Sequence, residues 1–160
     1  MNRRAQIQLL IAIAMLFGSG AIIFGFWRSE NRPQQAFFYD LSKKELFTAD
    51  AQLIPPIRGI DNGGEDGVKA VVIADKPNDK KTQRIAYLER YSPELKRDME
   101  EARAKNSAPL ISRAGAQTMR FVQRPGDSQW QPMISPEGQR IVSAWTNPGP
   151  DGLSPVVCTP

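Results

Sequence analysis

Val68-Lys-Ala-Val-Val-Ile-Ala74, Arg84-Ile-Ala-Tyr-Leu-Glu-Arg-Tyr91 and Ser92-Pro-Glu94 are the stretch on which the fold class turns. The first run is almost continuously apolar, the pattern of a buried strand. A polar loop, Asp75 to Thr82, separates it from Arg84–Tyr91, which can pair back against it. Ser92 then offers a capping hydroxyl, Pro93 a first-turn proline and Glu94 a first-turn acid, so a helix starts there. Leu95, Met99 and Ala102 recur among charges and give that helix a narrow apolar face.

Working outward, Ala36 to Ala49 reads as a hairpin. Phe37, Phe38 and Tyr39 favour a strand, Asp40 to Lys44 supplies turn chemistry, and Leu46-Phe-Thr48 resumes the strand. Ile54-Pro-Pro-Ile57 cannot be a central strand, because its prolines remove ladder donors. Downstream, Met119, Phe121 and Gln123 alternate with Thr118, Arg120 and Val122, and Pro125-Gly-Asp127 turns the chain toward a second strand around Trp130 and Met133. Ser135-Pro-Glu137 repeats the helix-start chemistry, with Ile141 and Trp145 on one face. Strands in runs, with few helices and no alternation of strand and helix, predict an α+β domain with a mainly antiparallel sheet and about two helices.

The N-terminus reads differently. Leu9 to Trp27 is an apolar run whose only polar residue is Ser19. As a helix it would extend about 28 Å, close to the thickness of a bilayer core. Arg3 and Arg4 precede it and Trp27 closes it, which predicts an uncleaved signal-anchor with its N-terminus inside. A cleaved signal peptide is the rival expectation; either way the domain is exported. The expected organisation is a transmembrane helix over 1–28, a linker over 29–35, an extracytoplasmic α+β domain over 36–146 and a Pro-rich extended tail over 147–160. The expected location is the cell (inner) membrane. Ala14, Gly18, Ala21 and Gly25 fall on one helical face, where small residues let another helix approach closely in lipid.

Charge argues against nucleic acid. The formal charge is +4, but removing Arg3, Arg4 and Arg28 leaves 18 Lys+Arg against 17 Asp+Glu. The remaining basic residues are interleaved with acids, as in Glu94 to Lys105, and phosphate-binding surfaces depend on concentrated positive charge. The expected partners are the lipid bilayer and a protein, or self-association through the anchor helix.

At Phe38-Tyr-Asp-Leu41, Glu45-Leu-Phe47, Ile54-Pro-Pro-Ile57, Gly67-Val-Lys-Ala70 and Tyr87-Leu-Glu-Arg-Tyr91, the chain resembles a family of small uncharacterised bacterial envelope proteins of planctomycete type. The resemblance covers most of Ala36 to Tyr91 and, more loosely, the C-terminal end. It implies an N-terminal anchor, a hairpin and a Cys-Pro-rich tail, and carries no activity. Family members have further cysteines, whereas this chain has only Cys158.

Little in the sequence points to chemistry. The chain has no histidine, which removes the commonest general base and metal ligand. A single cysteine excludes an intrachain disulfide and a thiolate-rich metal site. Cys158 is a candidate for an intermolecular disulfide, against burial as a small hydrophobe. Asp61, Asn62, Glu65 and Asp66 offer oxygen ligands for calcium but lack the spacing of a calcium-binding loop, so a solvated turn is expected there. Trp130 and Trp145 are read as core residues. No catalytic residue, metal site or cofactor is assigned. The expectation is a non-enzymatic interaction or structural module of the cell envelope. The alternatives are a tethered enzyme using carboxylate, Lys or Ser chemistry, and a pilin-like assembly subunit.

Overall fold

The computed structural model describes residues 34–61, 63–77, 79–149 and 152–160. Its strands are β1 (Gln35–Asp40), β2 (Glu45–Asp50), β3 (Gly67–Ala74), β4 (Arg84–Tyr91), β5 (Arg120–Gln123), β6 (Gln131–Pro132) and β7 (Val156–Val157). Its helices are α1 (Pro93–Ala104), α2 (Arg113–Thr118) and α3 (Pro136–Ser143), the last running into a 3-10 turn, Ala144–Thr146. The strands form one antiparallel sheet in the order β2-β1-β3-β4-β5-β6, and β7 pairs with the far end of β3.

Two expectations of the sequence are corrected. The transmembrane helix assigned to 1–28, with Ala14, Gly18, Ala21 and Gly25, lies outside the described residues. Among the described residues no helix is long and apolar enough to cross a membrane. The longest, α1, has 12 residues and alternates apolar positions with charges, so a single-pass membrane anchor has no support from this structure. Among the described residues the expected two helices are three. Residues 113–118, Arg-Ala-Gly-Ala-Gln-Thr, carry no apolar period to reveal a helix, yet the Ser112 side chain accepts from the Gly115 N–H and starts one.

Side chains alternate across the sheet and build a cluster on each face. On one face Val68, Ala70, Val72 and Leu88 are buried, with Tyr39, Leu46, Ile85 and Trp130 packed against them. On the other, Val122 meets Met133 and Ile141, which bring the segment after β6 and helix α3 onto the sheet. Gly138 makes that approach possible, since a Cβ there would lie 3.0 Å from the Met133 carbonyl oxygen. Among the described residues, α1, α2 and α3 each begin with a serine whose hydroxyl accepts a backbone N–H: Leu95 for Ser92, Gly115 for Ser112 and Gly138 for Ser135.

One irregularity positions the site. Val71 pairs with Tyr87 but Val72 pairs with Ile85, leaving Ala86 without a partner. This bulge reverses the side-chain alternation of β4 beyond it. Ile85 joins the Val72 face, and Arg84, opposite Ile73, turns to the face that carries α3.

The tail returns to the sheet. Val157 pairs with Ile73 and Val156 with Ala74, and the Cys158 N–H donates to the Val72 carbonyl at 2.8 Å. These residues use the edge of β3 beyond Lys69, where β1 has ceased to pair with it.

Candidate functional site

The domain carries a groove of about 660 Å³, a size that accommodates a ligand or a peptide segment. The sheet contributes Ile73, Ile85 and Ala86, and helix α3 with its 3-10 turn contributes Ile141, Ala144 and Trp145. The tail forms the remaining wall with Asn147, Gly149, Leu153 and Pro155. Local hydrogen bonds hold this wall in place. The Gly149 N–H donates to the Leu153 carbonyl at 2.8 Å, and the Ser154 hydroxyl to the Thr146 carbonyl at 3.2 Å.

Three charged side chains complete the lining: Asp75, Arg84 and Arg124. Arg84 Nη1 donates to Asp75 Oδ1 at 2.6 Å and to the Thr82 carbonyl at 3.3 Å. Arg124 follows β5 directly; its Nη1 lies 3.2 Å from Glu137 Oε1 and 4.0 Å from Asp127 Oδ2. Past Arg124 and Ile141 a second hollow of about 250 Å³ continues, lined by Asp127, Ser128, Gln129, Gln131 and Glu137.

Groups with shifted acidities lie elsewhere, and each serves the fold. The Asp40 carboxyl is held below its usual range, first by the Lys43 N–H, against the opposing effect of burial. Glu89 is 4 % exposed and meets Arg120 through Nη2 at 2.5 Å and Nε at 2.6 Å. Burial first, then the Glu89 charge, pushes the phenols of Tyr87 and Tyr91 up. Arg90 lies over the Trp130 ring, 4.5 Å from its centroid, on the face opposite α3; burial lowers its pKa.

The residues singled out from the sequence are dispersed. Asp61 pairs with Lys43 at 3.0 Å and accepts from the Gly63 N–H, while Glu65 meets Lys96 Nζ at 2.7 Å. Asn62 lies outside the described residues. Among the described residues no group of three or more Cys, Asp or Glu is placed to hold a metal ion. Cys158 is half-buried, a free thiol against the Val68–Leu88 cluster. Trp130 packs there too, whereas Trp145 lines the groove, a role that its pairing with Ile141 on one helical face did not reveal. Arg84 and Arg124 were not singled out at all. The signal for Arg84 depends on the bulge at Ala86, which strand periodicity does not encode.

The class these observations define is an antiparallel α+β domain with a groove of mixed apolar and charged lining that includes two arginines. No family model, no curated protein and no solved structure matches the chain.

Proposed function

We propose that this domain is a non-enzymatic binding module that holds a segment of a partner protein in the groove between the β3–β4 pair, helix α3 and the tail. The observation that carries the reading is the groove itself. Its floor is apolar and its charged groups sit at defined points on the lining, a combination that gives both affinity and orientation. Placement of the shifted acidities also favours binding over catalysis. Catalytic groups have acidities tuned at the cleft, whereas Asp40, Tyr87, Tyr91 and Arg120 are tuned by contacts away from the groove. Outside Arg3, Arg4 and Arg28 the near balance of 18 Lys+Arg against 17 Asp+Glu fits a protein partner better than nucleic acid.

The test is to pan a phage-displayed library of random dodecapeptides against the immobilised full chain. Trp145→Ala and Leu153→Glu variants are carried in parallel; Leu153 is 57 % exposed, so its replacement leaves the core untouched. The expected outcome is a shared peptide motif whose binding both variants reduce about tenfold or more. Peptides that bind both variants as well as the wild type would remove the groove from the account.

A further inference from the structure

The two arginines of the groove are only partly engaged. Nη1 of Arg84 lies against Asp75, and Nη1 of Arg124 against Glu137 and Asp127. Both side chains nevertheless stay about half exposed, 50 % for Arg84 and 46 % for Arg124. A half-exposed guanidinium is a planar fork whose spacing matches the two oxygens of a carboxylate. Both side chains line the same groove, beside Trp145.

The charge is distributed unevenly along the groove. Its main part is lined by two arginines against one acid, Asp75. Beyond Arg124 the second hollow adds Asp127 and Glu137, with Gln129 and Gln131 between them. An occupant that crosses both therefore meets positive charge first and negative charge second.

We propose, resting on the binding-module reading above, that the groove takes an extended peptide segment with a defined polarity. A Glu or Asp side chain of the partner is held by Arg84 and Arg124, with an apolar neighbour against Trp145, and a basic or neutral polar residue lies in the hollow formed by Asp127 and Glu137. An extended chain suits this arrangement, because its side chains project at regular intervals into separate pockets along a groove. A lone small anion would satisfy the forks and leave the apolar floor and the second hollow unused.

The experiment is fluorescence anisotropy on the full chain with a labelled dodecapeptide recovered from the panning. The same peptide is also made with its acid changed to Gln, and with its acidic and basic ends exchanged. The protein variants are Arg84→Gln with Arg124→Gln, and Arg84→Lys, which keeps charge but loses the fork. Arg84 and Arg124 side chains are 50 % and 46 % exposed, so the fold tolerates their replacement, and circular dichroism checks it.

The double Gln variant and the Gln peptide are each expected to weaken Kd about tenfold or more, with no further loss when combined. The exchanged peptide should bind as weakly as the Gln peptide, and Arg84→Lys should fall in between. If Trp145→Ala abolishes binding while the double Gln variant stays within twofold of wild type, the acidic-segment inference fails and the binding-module reading stands. A library that yields no peptide sensitive to Trp145→Ala overturns both.

Discussion

Asp40 shows how much of this fold rests on one side chain. It is 0 % exposed, and its Oδ1 accepts the N–H and hydroxyl of Ser42 at 3.0 and 2.8 Å and the Lys43 N–H at 2.8 Å. Its Oδ2 accepts the Ile60 N–H at 2.8 Å, so one carboxylate fixes both the β1–β2 turn and the loop before β3. Gly59 lies against this group, and a Cβ there would enter the space of the Asp40 and Asp66 carboxylates. Because the folded state lowers the pKa of Asp40 below 3.8, its stabilisation is present above that pH and is lost as pH falls through the lower folded value. Asp40→Asn removes the charge and turns an amide N–H₂ toward one of the backbone donors. Its Tm should lie below that of the wild type at pH 7, with the difference narrowing as both are acidified below 3.8. Thermal melts followed by circular dichroism at pH 7 and pH 3 measure this, and equal Tm values at pH 7 would reject the role given to Asp40.

At the scale of elements, the tail stabilises the central strand. Deleting residues 156–160 removes the two β7–β3 pairs, the Cys158 N–H to Val72 bond and the Cys158 contact with the core. A loss of about 1–3 kcal/mol is expected in urea unfolding, as backbone bonds go unmet and apolar surface is uncovered. An unchanged midpoint would mean that β7 adds nothing. The sequence showed some elements better than others. Phe37–Tyr39 with the Asp40–Lys44 turn marks the hairpin, the Val68–Ala74 run marks β3, and two Ser-Pro-Glu starts mark α1 and α3. Each of these is a local signal. Val156-Val157 is not, because two residues carry no period and their partner lies some eighty positions away in β3. Helix α2 escaped for want of an apolar stripe.

At the scale of the whole molecule, the groove exists because three remote features converge. The bulge at Ala86 turns Arg84 to the α3 face, Gly138 lets α3 lie close, and the tail closes the third wall before pairing with β3. None of the three is visible as periodicity, so the site was far less legible than the strands that support it. Both arginines occupied unremarkable positions in the sequence, one at a strand start and one just past a strand end. The most direct test of the account is an amide chemical-shift map of the isotope-labelled full chain, titrated with the selected dodecapeptide. The account predicts that perturbed amides concentrate at Ile73, Arg84, Ala86, Arg124, Ala144 and Leu153. Perturbations gathered instead on helix α1 or around Leu110, with those six unmoved, would contradict it.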